Sequence, residues 1–301
     1  MKGVVLLAYG APKSLDAVEA YYTNIRGGRK PSGAELANLV DRYRAIGGIS
    51  PLIGITESLR DKLQSELRSE GSSTRVYSAM RHSPPFIPDV VRVAAGDGVT
   101  ELLSVVLAPH YSKMSVGQYR LAVETANGTL SSGMRLDFVS SWHDNPGLID
   151  AWAGRIRRAE KRLAGDYHLV FTAHSLPESI RREGDPYESQ LLETAGLVVE
   201  KVGTVKQWSF AFQSASHTKE PWLGPDILDH LQALFQGGQR SFLIAPIGFL
   251  SDHLEILYDL DVECRQWAET RGARLVRTES LNDSDELVGL LHSLVTERCF
   301  A

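Results

Sequence analysis

Short apolar runs at 3–8, 74–77, 102–108, 136–139, 169–173, 208–212, 242–245 and 274–276 alternate with segments whose apolar residues recur every three or four positions. The runs predict strands, and the segments between them predict helices with one buried face. Several runs are continuously apolar, as in parallel sheets covered on both faces. The pattern is α/β. It also repeats. Val4-Val-Leu-Leu-Ala-Tyr-Gly-Ala-Pro12 lines up with Leu169-Val-Phe-Thr-Ala-His-Ser-Leu-Pro177, and Leu103-Ser-Val-Val-Leu-Ala-Pro109 with Ser241-Phe-Leu-Ile-Ala-Pro246. A duplicated domain follows, one copy over 1–145 and one over 146–301, with a ligand cleft expected between them. In this alignment Tyr9 corresponds to His174, so two chemically capable side chains leave equivalent strand ends.

Pro12 and Pro109 lie 97 residues apart, whereas Pro177 and Pro246 lie 69 apart, so the first copy carries about 28 extra residues. The candidate insertion covers about 22–52, with glycine pairs at Gly27-Gly28 and Gly47-Gly48. Arg26, Arg29, Lys30, Arg42 and Arg44 make it basic within an acidic protein. It reads either as a solvated loop or as a wall holding an anionic, largely apolar ligand, with guanidinium forks on carboxylates.

The run at 242–245 leads through Pro246 and Gly248 into a helix that Ser251 or Asp252 would open. At roughly 100° per residue, Glu255, Asp259 and Glu263 share one stripe, with Asp252 beside it. Ile256, Leu257, Leu260, Cys264 and Trp267 fall on the adjoining arc and should face the core. Carboxylates four apart repel, and no Lys or Arg stands at that spacing within the stripe. The stack is either a solvated acidic face or a path for a cation. His174, at a strand's end, is a candidate metal ligand and proton acceptor near neutral pH. His253 reads as a hydrogen-bonded core histidine, and Trp208, Trp222 and Trp267 as core residues.

With 301 residues, 43% hydrophobic and 23% charged, the composition is that of a soluble globular protein. A net charge of −5 argues against nucleic-acid binding. No apolar run is long enough to span a bilayer, and no signal peptide is evident. Cys264 and Cys299 are too few for a disulfide framework or a four-cysteine iron–sulfur cluster, and they suit a reducing cytoplasm.

Ten segments carry a family resemblance in order: Leu7-Ala-Tyr-Gly-Ala-Pro12, Tyr21-Tyr-Thr-Asn-Ile-Arg26, Arg29-Lys-Pro31, Asp41-Arg-Tyr43, Ala45-Ile-Gly-Gly-Ile-Ser-Pro51, Ala108-Pro-His-Tyr-Ser112, Ala173-His-Ser-Leu-Pro177, Phe212-Gln-Ser214, Glu220-Pro-Trp-Leu-Gly-Pro225 and the stretch 248–265. Together they resemble the ferrochelatases, most of all the soluble monomeric coproporphyrin III ferrochelatases of Gram-positive-type bacteria. The resemblance implies two Rossmann-like domains with a porphyrin in the cleft, and insertion of Fe²⁺ into coproporphyrin III in the cytoplasm.

By the same resemblance His174 and Glu255 are catalytic and bind the metal, and Asp259 and Glu263 extend the metal path. Tyr9, Arg26, Arg42, Tyr43, Ser50 and Tyr119 would bind the porphyrin, with Tyr9 typical of the coproporphyrin branch. No tightly bound cofactor is implied, Fe²⁺ being a substrate. The expected partners are the porphyrin, Fe²⁺ and, transiently, other haem-pathway enzymes. Two positions depart from the pattern: Gly27 stands where an Arg often follows Arg26, and Arg81-His82 where Lys-His is usual. The alternatives are a protoporphyrin IX ferrochelatase, a cobalt or nickel chelatase for sirohydrochlorin-type rings, and a non-catalytic porphyrin carrier.

Overall fold

The computed structural model describes residues 1–130, 132–163, 165–216, 218 and 220–299, the side chain of Cys299 excepted. Its elements run β1 (Lys2–Ala8), α1 (Val18–Ile25), α2 (Gly33–Ala45), α3 (Leu52–Ser69), β2 (Arg75–Met80), α4 (Ile87–Gly96), β3 (Glu101–Val106), α5 (Val116–Gly128) and β4 (Arg135–Val139). They continue with α6 (Pro146–Glu160), β5 (His168–His174), α7 (Ser179–Arg182), α8 (Tyr187–Val202), β6 (Trp208–Gln213), α9 (Ile227–Gln236) and β7 (Ser241–Ala245). A π-helix (Glu255–Cys264) runs into α10 (Arg265–Thr270), and β8 (Arg274–Arg277) and α11 (Asp285–Cys299) close the chain. All eight expected strands are present.

Each half forms a four-stranded parallel sheet, ordered β2-β1-β3-β4 and β6-β5-β7-β8. The two orders are the same once each unit's strands are counted from its own first, so the internal repeat read from sequence is a repeat of topology. In each sheet the first strand is central and its apolar run is buried, Val4–Leu7 in one and Leu169–Phe171 in the other. Helices cover these sheets through apolar faces such as Leu59, Leu63 and Leu67 of α3 and Ile256, Leu260 and Cys264 of the π-helix. No helix among the described residues is long and apolar enough to cross a membrane.

The chain divides into two compact units, the first covering Met1–Trp142 and resuming at Asn282, the second covering His143–Leu281. The residues from Asn282 onward thus belong with the first unit. Helix α11 packs on α3 and β3 of that unit. Leu287, Leu291 and Val295 are buried there. The start of α11 is pinned by Asp283, whose carboxylate accepts from the Ser58 hydroxyl at 2.6 Å and pairs with Lys62 at 3.2 Å. Trp208 differs from expectation: at the start of β6 it is 38% exposed, although its ring meets Phe171 edge-on.

The basic insertion is built around α2. Ser32 and Glu35 form a capping box, each side chain bonded to the other's backbone N–H. Glu35 also accepts from Arg26 at 2.5 Å. The Ser32 N–H, followed by the Arg26 guanidinium, holds the Glu35 carboxyl down to about 2. A depressed carboxylate contributes stability above its ordinary value and loses it as pH falls through the folded value. Glu35→Gln should therefore lower the thermal midpoint at neutral pH, and the deficit should shrink as pH falls from 4.5 toward 2. Circular dichroism melts across that range check it; a deficit independent of pH would assign the loss to shape instead of charge.

Candidate functional site

The second unit brings its chemistry together at the carboxyl ends of β5, β6 and β7, where open α/β sheets receive ligands. His174 is the last residue of β5, and its carbonyl accepts from the Tyr187 hydroxyl at 3.0 Å. The imidazole Nδ1 is bonded to the carbonyl of Ser175. A carbonyl can only accept, so Nδ1 carries the hydrogen and the neutral ring keeps its lone pair on Nε2. That nitrogen lies 3.6 Å from Oε1 of Glu255, both side chains being half-buried.

Glu255 touches a second imidazole. Nε2 of His253 lies 3.5 Å from its other oxygen, Oε2, and His253 Nδ1 donates to the Ser251 carbonyl at 2.9 Å. Burial by itself would lower the His253 pKa, but Glu255 and the Ser251 carbonyl outweigh it, and the net direction is upward. The carboxylate thus stands between two histidines, one of which the hydrophobic pattern assigns to the core alone.

The acidic helix differs from its expected form. It is wound as a π-helix over Glu255–Cys264, not as an α-helix, and Leu254 stands at its N-cap without a side-chain cap. Asp252 does not open it; its carboxylate accepts from the Ser280 hydroxyl at 2.7 Å. A π-helix is rare and recurs at functional sites. Ile256, Leu260, Cys264 and Trp267 are buried as expected, whereas Leu257 is only half-buried. Nor does the carboxylate stripe run steadily outward. Its middle member, Asp259, is 6% exposed and accepts from the Ser214 hydroxyl at 2.5 Å and from the Gln213 amide at 3.5 Å. Glu255 and Glu263 are half-buried on either side of it.

Two backbone features permit this assembly. Gly248 crosses the end of β5, its N–H donating to the Thr172 carbonyl at 3.1 Å. A Cβ at Gly248 would stand 2.4 Å from Ala173 Cβ and 2.7 Å from its Cα, so only glycine fits. Ser214 adopts φ 61°, the left-handed region that a residue other than glycine seldom occupies. That turn aims its hydroxyl at Asp259.

In the first unit Tyr9 directly follows β1 and is 40% exposed, with its ring 4.6 Å from that of His82. Burial, and then the neighbouring Arg81, hold His82 down to about 4, so its ring is neutral near pH 7. The Arg81 guanidinium lies over the Tyr119 ring at 5.6 Å, and Tyr119 is buried in the first unit's core. Tyr43 and Ser50 are buried, Arg42 is half-buried on α2, and Arg26 is engaged by Glu35. Among the described residues no three His, Cys, Asp or Glu side chains are gathered as a metal chelate. His174 and Glu255 lie 3.6 Å apart, with Asp259 and Glu263 further along the helix.

A family profile described as ferrochelatase matches residues 1–299. The chain belongs to the ferrochelatase family. It is 42% identical over 298 residues to a ferrochelatase of Herpetosiphon aurantiacus, covering 97% of each chain. Over 303 residues it is 40% identical to the coproporphyrin III ferrochelatase of Bacillus subtilis, covering 98% of this chain and 97% of that one. Among solved structures it is similar to a cobalt complex of the sirohydrochlorin chelatase SirB from Bacillus subtilis subspecies spizizenii, with TM-score 0.59 and 8% identity over 98% of this chain and 94% of the other. At that identity the likeness concerns the fold alone.

Within this ferrochelatase the parts played by His253, Gln213, Ser214 and Gly248 at the site are not marked by sequence pattern. Phe212-Gln-Ser214 is visible as a segment of the family pattern, but its partner on the acidic helix lies more than forty residues away. Gly248→Ala should destabilise the protein by about 1–3 kcal/mol, as overpacking does, and should also disturb the site, because the methyl meets backbone. Thermal unfolding and His174 ring resonances in the same variant check both effects; a wild-type melt would mean the turn can move aside freely.

Proposed function

We propose that this ferrochelatase inserts Fe²⁺ into coproporphyrin III, using His174 and Glu255 to receive the metal and remove the pyrrole protons. The observation that carries this reading is the 3.6 Å approach of the His174 Nε2 to Glu255 at a sheet's carboxyl edge. Metallation removes two N–H protons from the macrocycle and strips water from the cation. With Nδ1 bonded to the Ser175 carbonyl, a neutral His174 presents only Nε2, which can bind Fe²⁺ or take a proton. Glu255 then receives the proton or shares the charge of the imidazolium.

Asp259, held by Ser214 and Gln213, and Glu263 supply hard oxygen donors further along the π-helix, suited to a partly hydrated divalent ion. The remaining positions on the metal would be filled by water and then by pyrrole nitrogens.

Two further observations favour a four-propionate ring. The insertion around α2 concentrates Arg26, Arg29, Lys30, Arg42 and Arg44, and guanidinium groups bind carboxylates through paired hydrogen bonds. We assign Arg26, Arg42, Tyr43 and Ser50 to the propionate side and Tyr119 to the support of Arg81. Tyr9 is exposed and could bind the iron of the product. Relatives named coproporphyrin III ferrochelatase at about 40% identity support the same choice. The deciding experiment compares anaerobic initial rates on coproporphyrin III and protoporphyrin IX. A clear preference for protoporphyrin IX overturns the substrate assignment, and porphyrin binding without turnover on either overturns the enzymatic one.

His174→Ala should abolish metallation while porphyrin binding persists, and Glu255→Gln should lose most turnover with its fold intact. Stopped-flow absorbance and a porphyrin titration read the two separately, and near-normal iron insertion by His174→Ala would refute its role. For Tyr9→Phe, iron insertion should continue but the absorption spectrum of the iron-porphyrin complex should change. An unchanged spectrum would leave Tyr9 a wall residue.

A further inference from the structure

Arg277, the last residue of β8, reaches past the sheet's edge to the acidic segment. It stands beside Ile244 of β7, and its side chain is only 12% exposed. Nε and Nη2 donate to the two oxygens of Asp261 at 2.9 and 2.7 Å, a bidentate fork. Nη1 lies 3.4 Å from Asp252 and donates to the Thr278 carbonyl at 2.9 Å. Ser280 closes the figure, donating to Asp252 at 2.7 Å and lying 3.4 Å from Nη1. Asp252 precedes Glu255 by three residues and Asp261 follows it by six, so one planar group grips the chain on both sides of that carboxylate.

We propose that Arg277 is the positioning residue for Glu255, fixing the winding and rotation of the π-helix so that the carboxylate faces His174. Ten consecutive residues of π-helix are unusual, since this winding mostly occurs as single turns. Such a run needs ties from outside itself. On one flank they come from β6, where the Gln213 amide donates to the Glu255 carbonyl at 2.9 Å and Ser214 holds Asp259. On the other flank the tie is Arg277. Lysine could supply the charge but not the fork, because its ammonium is a point donor whereas the guanidinium fixes two directions in a plane.

The inference rests on the metallation reading for its kinetic readout, and the experiment separates the two. Arg277→Lys should stay folded and bind porphyrin with wild-type affinity. Its kcat should fall about 10–100-fold, the usual effect of losing a group that orients a metal-site residue, with the porphyrin KM unchanged. Arg277→Met leaves Asp252 and Asp261 half-buried without their shared guanidinium, Asp261 keeping only a 3.7 Å contact with Arg265, and could simply unfold. The triple variant Asp252→Asn, Asp261→Leu, Arg277→Met removes those charges together. It should recover the wild-type melting midpoint but not kcat. Recovery of kcat along with stability, or a wild-type kcat in Arg277→Lys, would make Arg277 a structural ion pair and overturn the proposal. The His174 and His253 ring resonances, read by NMR without iron or porphyrin, provide an independent test. They should shift in Arg277→Lys because Glu255 has moved, and wild-type positions would overturn the proposal even if no metallation were ever observed.

Discussion

Gly248 lies so close to Ala173 that the space a Cβ would need is already occupied by Ala173 itself. This approach lets the connection out of β7 cross directly over the end of β5, with Ile247 and Leu250 buried beneath it. The π-helix consequently starts beside His174 and not one turn away. Its apolar residues are then taken up by the core, and Glu255 is left on the side of the imidazole. A larger residue at 248 would push the whole acidic segment outward, and a shift of about 1 Å is enough to matter for chemistry that depends on directed contacts.

Five carboxylates stand between positions 252 and 263, and the fold treats them unequally. Asp252 and Asp261 share Arg277, and Asp259 is bonded to a hydroxyl and an amide in a buried setting. Glu255 stands between two imidazoles, and Glu263 is half-buried. A uniform acidic face would repel itself and be screened by salt. Here Asp252, Asp259 and Asp261 each have a specific donor, which a buried carboxylate requires. The result is a set of carboxylates in different settings, of which Glu255 faces His174.

The two units share a strand order but not a chemistry. Tyr9 and His174 both sit at the end of a central strand, and each is set by the segment behind it. Tyr9 leans on a histidine kept neutral by burial and by Arg81, whereas His174 faces a carboxylate. Duplication supplied equivalent positions; the loops that followed made one basic and aromatic and the other acidic.

Eight strands and the repeat were legible in the chain, because strand periodicity is local, and the family segments, occurring in order, put His174 and Glu255 forward as candidates. The capping box of α2 is likewise local, requiring only Ser32 and Glu35 three residues apart. What tertiary structure decided is what depends on partners distant in sequence. A 100° periodicity predicts a buried arc but does not distinguish α from π winding, and the ties of this helix come from Gln213 and Ser214 at the end of β6 and from Arg277 on the strand that follows. Likewise the pattern of α11 marks an apolar face without naming the sheet that receives it, so its return to the first unit rests on Ser58 and Lys62 meeting Asp283. The role of His253 is hidden for the same reason: an apolar arc shows where a ring points, but only the fold brings Glu255 to its nitrogen.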